Sequence, residues 1–506
     1  MQNGTGRPLG GLFLLLATIL ISCQSSKPRN EIVQPTPTQN DKLLFLGKPL
    51  EVSENKADKA LCDEILGKIK DREADYEVWG IAAASQKTGK LVCGVEQHRL
   101  LSPASLEKLV TAAVALEKLG PDFIWETKIA SAKPIAGDVL DGDLVLLGGG
   151  APDFDSSELD LLAKAVRDAG IKRIAGDIVG DDSHFKGDQY GDGWVWNETQ
   201  WYYGAGASAL SYSGNEVKLN VSGGKPSDET GMLELSGSLK PNDGLEAIGV
   251  RRKFGTNEVY VWGRGSALSA RIAVADPARF AAEILREKLQ MLGIEIDGKA
   301  VSRDWTNSDS DAYKEVIAVQ KSRPLKQIVR EMNKNSVNLS AELLLRTLGK
   351  KFGDTAPDAD PKITYLRGDD IAGAAVVEKW LSERRLADEG IAIHDGSGLS
   401  RLTRVSVETL VKLLMNQANT DKQGAFFDSL PKAGVDGTLE KRLQALRGRV
   451  SAKTGTMLYT NALAGYIDAN GDTISFAIIG NDLTGSEEAT KTIDEITSIL
   501  SRRPGK

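Results

Sequence analysis

Ser105 and Lys108 carry a hydroxyl and an amine that could act together as a nucleophile and its base. They stand three positions apart in LLSPASLEKLVTAAVALEKLG, whose apolar residues recur at helical spacing, so one helical turn would bring the two groups together. Burial in this apolar row would lower the pKa of Lys108. The simpler alternative is a solvated helix lysine. S-x-x-K also begins at Ser53, Ser222 and Ser429, but among these serines only Ser105 opens a strongly amphipathic stretch.

Ser336 and Asn338 are a second pair of polar groups that could serve a reaction. They lie in PLKQIVREMNKNSVNLSAELLLRTLG, whose apolar spacing predicts two helices joined at KNSVN. The junction would display Ser336 and Asn338 and turn Val337 away. S-x-N also begins at Ser53 and Ser213, so its placement gives the pattern its meaning. The alternative for Ser336 is an ordinary helix cap.

The triplet Lys-Thr-Gly occurs twice, and its surroundings separate the two copies. Lys87–Gly89 lies at the tip of VWGIAAASQKTGKLVCGV, which predicts two strands around a polar turn. The second copy, Lys453, Thr454 and Gly455 followed by Thr456, precedes ALAGYIDANGDTISFAIIGND. The Asn-Gly pair in that stretch predicts a hairpin between two apolar strands. The second copy is therefore the candidate for a strand that lines a reactive site.

The elements that must position these groups come from both ends of the chain. Helical spacing at Asp58–Lys70 and in the final stretch EEATKTIDEITSILSRR accompanies strand patterns near each end. This arrangement predicts an α+β fold in which the first and last thirds of the chain form one sheet covered by helices. We therefore predict one domain made of residues 43–128 plus 311–506.

Residues 129–310 have a different pattern and predict a β-rich insertion, which we divide into two subdomains. Short alternating runs such as EVKLNVSGG and EVYVWGRG are typical of antiparallel strands. One helix, from Ala278 to Gly293, is expected to interrupt them. The aromatic run GWVWNETQWYYGAG could stack on carbohydrate, although aromatic residues in β-rich segments more often belong to a core.

The N-terminus has the pattern of an export signal. The apolar run Leu12–Ile21 is too short to span a bilayer but fits the hydrophobic region of a signal peptide. It runs into LISC, which resembles a bacterial lipobox. We predict a lipoprotein signal peptide at 1–23, lipidation of Cys23, and a polar tether at 24–42. Ordinary signal cleavage with an incidental Cys23 is the alternative.

These features predict a protein that is exported to the periplasmic side and anchored to a membrane by lipid. Gln24 is not an acidic retention signal, which favours the outer membrane. In such an oxidising compartment Cys62 and Cys93 could pair, but the sequence leaves their pairing open.

Composition excludes several other functions. The formal net charge of -7 and the lack of a basic run argue against nucleic-acid binding. His98, His184 and His394 have no partners at ligand spacing, and the cysteines form no CxxC pair, so we predict no metal site and no cofactor.

The three motifs together resemble those of active-site serine penicillin-recognising enzymes, in the order SLEK, SVN and KTG. The segments PASLEK, LLGGGAPDF, MNKNSVNLSAE, DGSGLSR, GVDGTLEKR and AKTGT resemble more closely the D-alanyl-D-alanine carboxypeptidase/endopeptidase family, the low-molecular-mass class C penicillin-binding proteins. The 231 positions between Ser105 and Ser336 match the large insertion of that family. Ala151 and Val337 depart from residues common in relatives. The resemblance implies a penicillin-binding-protein/β-lactamase-like transpeptidase domain.

The resemblance also implies a role for each residue of the three motifs. Ser105 would attack the carbonyl of the penultimate D-Ala while Lys108 takes its proton, with the N–H groups of Ser105 and Thr456 holding the oxyanion. Ser336 would relay a proton to the leaving amine. Asn338 would bind the peptide backbone. Lys453 and Thr454 would support Ser336 and attract the terminal carboxylate of the substrate. The implied partners are peptidoglycan stem peptides and, as inhibitors, β-lactams.

Two other functions remain as alternatives. A β-lactamase shares the three motifs, but it typically lacks so large an insertion. A non-catalytic cell-wall binding lipoprotein of the same fold is disfavoured because Ser105, Lys108, Ser336, Asn338 and Lys453 are all intact. The balance between carboxypeptidase and endopeptidase activity is left open by the sequence.

Overall fold

The computed structural model describes residues 48–72, 76–242, 244, 247–354 and 368–504. These residues fall within one compact unit, Phe45–Lys506. The predicted signal peptide, Cys23 and the predicted tether lie outside the described residues. Within the described ranges, every helix is too short or too polar to cross a membrane.

The helices of the described residues are distributed along the whole chain. They are α1 (Lys56–Lys70), α2 (Glu107–Leu119), α3 (Ser156–Asp168), α4 (Pro277–Met291), α5 (Leu325–Asn335), α6 (Asn338–Phe352), α7 (Asp369–Glu383), α8 (Val407–Thr420), α9 (Ala425–Ser429) and α10 (Ser486–Leu500).

The strands are concentrated in the middle and at the two ends of the chain. They are β1 (Val78–Ser85), β2 (Leu91–Val95), β3 (Glu126–Ser131), β4 (Ile135–Ala136), β5 (Val139–Leu140), β6 (Leu144–Leu147), β7 (Arg173–Ile174), β8 (Ile178–Asp181), β9 (Glu216–Ser222), β10 (Lys225–Asp228), β11 (Glu234–Gly237), β12 (Ile248–Arg252), β13 (Glu258–Gly263), β14 (Ala267–Ala273), β15 (Glu295–Ile296), β16 (Ala300–Arg303), β17 (Glu315–Lys321), β18 (Val450–Met457), β19 (Thr460–Ala469) and β20 (Asp472–Asn481).

One antiparallel sheet combines both ends of the chain in the order β18-β19-β20-β1-β2. The predicted hairpin turn at Asn470 and Gly471 joins β19 to β20, and both residues have positive φ. The first Lys-Thr-Gly copy lies in the turn between β1 and β2, as predicted. Since β2 and β18 are at opposite edges of the sheet, the two copies are separated by its full width.

Helices cover both faces of this sheet, which is why its strands are apolar on both sides. Ile81 and Ala83 of β1 pack in one cluster with residues of α1 and α10. Ala82 and Ala84 point to the other face and pack in a second cluster with residues of α2 and α8. The α+β fold with an antiparallel sheet between helices is therefore confirmed.

A disulfide joins Cys62 of α1 to Cys93 of β2, with the Cα atoms 5.0 Å apart. The pairing that the sequence left open is thus made in the structure. It fastens the first helix to the edge strand of the central sheet.

The insertion contains more helix and more parallel pairing than the sequence predicted. A second helix, α3, begins at a capping box formed by Asp155 and Glu158, and its Leu159, Leu162 and Val166 are buried. Strands β6, β8 and β16 pair in parallel, as do β5, β7 and β15. Helices α3 and α4 supply the crossovers that parallel neighbours require. The expectation of a single helix was therefore wrong, whereas most strand pairings in this part of the chain are antiparallel, as predicted.

Strands β3 and β17 mark where the chain enters and leaves the insertion. They pair antiparallel with each other, from Glu126 opposite Lys321 to Ser131 opposite Glu315. The predicted limit between 128 and 129 falls inside β3, and the limit between 310 and 311 falls shortly before β17. The domain limits and the division into two subdomains stay predictions.

Candidate active site

Ser105 lies in a tight 3₁₀ turn, Ala104–Leu106, directly before α2. The loop ahead of it is held by the end of β20, because Asn481 accepts from the N–H of Ser102 at 2.8 Å and donates to the Ser102 carbonyl at 3.1 Å. The hydroxyl is therefore presented by a short turn whose two sides are fixed by a strand and a helix.

Lys108 is fully buried, and its ammonium is held by three acceptors. Nζ donates to Ser105 Oγ at 2.8 Å, to Asn338 Oδ1 at 2.6 Å and to the Ser397 carbonyl at 2.7 Å. Burial lowers the pKa of Lys108 to about 7, although nearby carboxylates oppose that shift. The alternative of a solvated helix lysine is therefore wrong.

Ser336 and Lys453 form a second serine–lysine pair. Ser336 has a left-handed backbone, with φ 58°, which breaks the helical run between α5 and α6. Lys453 Nζ donates to Ser336 Oγ at 2.8 Å and to the Thr454 carbonyl at 2.7 Å. Burial, together with the charge of Lys108, holds the pKa of Lys453 well below its ordinary value. Because α6 begins without a side-chain cap, Ser336 is not the ordinary cap that we considered.

Asn338 opens α6 and bridges two parts of the molecule. Its Oδ1 accepts from Lys108, while its Nδ2 donates to the Tyr203 carbonyl in the insertion at 2.7 Å. Val337 turns away from this group, as predicted, and packs against the apolar cluster around Phe185 and Leu343. The insertion therefore contributes directly to the position of Asn338.

Thr454, Gly455 and Thr456 lie on β18, the edge strand of the central sheet. A Cβ on Gly455 would lie 2.8 Å from the Pro103 carbonyl oxygen, so the strand approaches the turn of Ser105 as closely as glycine permits. Thr454 Oγ1 lies 2.8 Å from Thr438 Oγ1, and Thr456 is exposed. An edge strand beside a nucleophile offers backbone groups to an extended peptide.

The structure also places residues here to which the sequence reasoning gave no role. Ser397 and Asp395 belong to DGSGLSR, and Thr438 belongs to GVDGTLEKR, both of which we used only as signs of family likeness. Glu342 ends MNKNSVNLSAE and Tyr203 lies in GWVWNETQWYYGAG, but neither was given a role of its own, since their contacts depend on distant parts of the chain. Asp395 is fully buried and accepts five hydrogen bonds, from Trp194 Nε1, Ser397 Oγ, the N–H groups of Gly398 and Ser400, and Thr403 Oγ1.

Within the described ranges, one side-chain group has the geometry to accept a cation. His98, Asp388 and Glu408 offer ligand atoms within 4.8 Å of one another. Lys412 Nζ lies 2.8 Å from Glu408 Oε1 and 3.5 Å from Asp388 Oδ1, so an ammonium already neutralises part of this charge. The group belongs to neither serine–lysine pair.

The five predicted catalytic residues thus meet in one cluster, with each serine hydroxyl 2.8 Å from a lysine Nζ. Lys108 and Lys453 are buried, and the other three residues are partly exposed. Such an arrangement can deprotonate one hydroxyl for attack while the other passes a proton onward. The roles of the individual residues stay predictions.

Comparison with known proteins identifies the family to which the chain belongs. Residues 62–503 match the model of the D-Ala-D-Ala carboxypeptidase 3 (S13) family. The chain belongs to this family. Membership makes it a serine-type D-Ala-D-Ala carboxypeptidase, as the motifs predicted, and disfavours the β-lactamase alternative.

Two relatives and one solved structure each match most of the length of this chain. The D-alanyl-D-alanine carboxypeptidase of Actinomadura sp. (strain R39) is 31% identical over 459 residues, covering 84% of this chain and 81% of the relative. D-alanyl-D-alanine carboxypeptidase DacB of Haemophilus influenzae is 26% identical over 438 residues, covering 82% and 87%. The crystal structure of penicillin-binding protein 4 from the same organism has a TM-score of 0.75 at 24% identity, covering 87% of this chain and 99% of that chain. It supports the fold.

Proposed function

We propose that this S13 protein removes the terminal D-Ala from peptidoglycan stem peptides through an acyl-enzyme on Ser105. The observation that carries the proposal is the convergence of two serine–lysine pairs. Lys108 Nζ lies 2.8 Å from Ser105 Oγ, and Lys453 Nζ lies 2.8 Å from Ser336 Oγ. Asn338 accepts from Lys108 and so draws α6 into the same cluster.

The first half-reaction transfers the acyl group to the enzyme. Neutral Lys108 accepts the Ser105 hydroxyl proton as Oγ bonds to the carbonyl carbon of the penultimate D-Ala. The N–H groups of Ser105 and Thr456 hold the oxyanion. The proton then passes from Lys108 through Ser336, which is hydrogen-bonded to Lys453, to the nitrogen of the departing D-Ala as the peptide C–N bond breaks. In the second half-reaction, water attacks the ester carbonyl, the shortened peptide is released, and a proton from the water returns to Ser105.

Acylation of Ser105 is the direct test. Purified protein is incubated with fluorescent penicillin and the labelled peptide is located by mass spectrometry. Wild type should carry the label on Ser105, and Ser105→Ala should carry none. The matched control is Ser222→Ala, an exposed serine of another S-x-x-K pattern, which should label like wild type. An unlabelled wild type would refute the proposal and support the non-catalytic alternative, and equal labelling of Ser105→Ala and wild type would show that Ser105 is not the nucleophile.

β-Lactams fit the same site because their strained amide resembles the D-Ala-D-Ala end that Ser105 attacks. The Haemophilus influenzae neighbour has also been solved in complex with a β-lactam, which supports this part of the proposal. Digestion of pentapeptides and cross-linked muropeptides side by side separates the two peptidase activities. Release of D-Ala alone indicates a carboxypeptidase, and cleavage of cross-links adds an endopeptidase activity.

We also propose that the protein is exported and held on the periplasmic side by a lipid on Cys23, with the outer membrane favoured. The disulfide between Cys62 and Cys93 supports an oxidising compartment. Cys23→Ala should move the protein from the membrane fraction to the soluble fraction while penicillin labelling persists. Unchanged membrane association of this variant would contradict the anchor.

A further inference from the structure

Glu342 is a buried carboxylate that the proposed reaction does not use. It lies on α6 one turn after Asn338, and its side chain is 0% exposed. Residues at this spacing share a helix face, so the carboxylate lies on the side of α6 that meets the active site. A buried charge in this position requires partners, and both oxygens have them.

One carboxylate oxygen of Glu342 accepts hydrogen bonds from the loop backbone that binds Lys108. Glu342 Oε1 accepts from the N–H groups of Gly396 and Ser397, both at 3.0 Å. The carbonyl of Ser397 accepts from Lys108 Nζ at 2.7 Å. Thr111 of α2 donates to the Gly396 carbonyl at 2.8 Å and holds the same backbone from the other side. One continuous chain of hydrogen bonds therefore joins Glu342 to Lys108.

Close packing leaves this backbone little freedom to move. A Cβ on Gly396 would lie 2.4 Å from the Ala341 carbonyl oxygen, so the loop lies directly on α6. The second oxygen of Glu342 accepts from Arg346 at 2.9 Å, and Arg346 donates onward to the Asp188 carbonyl at 3.0 Å. The carboxylate is thus fixed from both sides.

We infer that Glu342 is a positioning residue for Lys108, acting through the Gly396–Ser397 backbone. Its carboxylate is hydrogen-bonded to Gly396, Ser397 and Arg346 and needs no contact with the substrate. The inference rests on the proposed function, since it assigns Glu342 to the base of that reaction. It predicts that the hydrogen-bond acceptor at this position matters for the rate of acylation and not for substrate affinity.

Charge adds a second consequence that can be measured. The titratable groups facing Lys108 are Glu107 of its own helix, Glu342, Asp395 and Lys453. Glu342 is among the groups that raise the pKa of Lys108, and its own pKa is raised to about 7, mainly by burial and then by Asp395. Acylation requires neutral Lys108 and so increases as pH rises through that pKa. Removing the charge of Glu342 should therefore move the acid limb of acylation to lower pH.

Two double variants isolate the acceptor without leaving Arg346 unpaired. Glu342→Gln with Arg346→Met keeps an acceptor oxygen, and Glu342→Leu with Arg346→Met removes it. Both variants lack the buried ion pair, and apolar replacement of such pairs is often tolerated. Thr347→Val is the control: it perturbs the same buried helix, where Thr347 donates to the Leu343 carbonyl, without touching the 396–397 backbone.

Stopped-flow acylation by fluorescent penicillin separates the limiting rate from the dissociation constant of the initial complex, and thermal unfolding reports the folded fraction. The double variant with Glu342→Leu should acylate about a hundredfold more slowly than the one with Glu342→Gln, at an unchanged dissociation constant. Relative to wild type, Glu342→Gln with Arg346→Met should shift the acid limb to lower pH, which keeps the inference testable if the variant with Glu342→Leu does not fold.

Three results would overturn the inference: equal limiting rates in the two folded double variants, an acid limb that does not move, or a loss that follows the folded fraction as in Thr347→Val. An unlabelled wild type would instead refute the proposed function, so the two failures are distinguishable.

Discussion

Lys108 and Lys453 are buried amines that share one small volume, and each lies within hydrogen-bond distance of a serine hydroxyl. The charge of Lys108 lowers the pKa of Lys453, so a proton on one amine disfavours a proton on the other. A charged Lys108 therefore favours the neutral amine at Lys453. This coupling suits a reaction in which Lys108 takes a proton from Ser105 and the proton is delivered through Ser336, beside Lys453.

The two Lys-Thr-Gly copies allow a matched test of this residue pair. Lys453→Met should lower the acylation rate by about a hundredfold or more, because it removes the amine that supports Ser336. Lys87→Met should leave the rate unchanged, since Lys87 lies in the turn at the far side of the sheet. Labelling rates with penicillin compare the two variants. Similar losses in both would mean that the second copy is not the functional one.

The contact between β18 and the Ser105 turn is the element-scale feature on which the site depends. A Cβ at Gly455 would meet the Pro103 carbonyl at 2.8 Å and Ala104 Cβ at 3.4 Å. Gly455→Ala should therefore push the turn from the strand, slow acylation and destabilise the fold by about 1–3 kcal/mol.

Gly67→Ala is the control for this substitution, because a Cβ at that position of α1 meets nothing within 4 Å. It should leave acylation unchanged. Thermal unfolding and acylation rates are measured for both variants. Wild-type acylation by Gly455→Ala would show that the close approach has no functional importance.

The sequence predicts the elements that depend on interactions between residues a few positions apart, but not the contacts between residues far apart in the chain. Local patterns identified α2, the α5–α6 junction and the hairpin after β18, because apolar spacing and turn residues act over a few positions. The contacts of Asn338 with Lys108 and Tyr203 span 230 and 135 positions, and that of Lys108 with Ser397 spans 289. Only the closed fold brings such groups together, which is why Tyr203, Ser397 and Glu342 were missed.

At the scale of the whole molecule, the central sheet joins strands from the two ends of the chain, and α1 and α10 close one of its faces. The disulfide between Cys62 and Cys93 closes a loop of 31 positions within this region. It links α1 to β2, at the opposite edge of the sheet from β18. Stability and catalysis should therefore respond differently to its removal.

Replacing both cysteines with alanine should lower the free energy of unfolding by about 3–4 kcal/mol, because the unfolded chain regains the entropy that a loop of this length restricts. Acylation at 25 °C should persist, because β18 and the Ser105 turn lie away from β2. Urea denaturation of the oxidised protein and the double variant measures the first effect, and penicillin labelling measures the second. Reduced wild type should match the double variant in stability. An unchanged denaturation midpoint would exclude a stabilising bridge, whereas loss of labelling in a folded double variant would show that this edge of the sheet also positions Ser105.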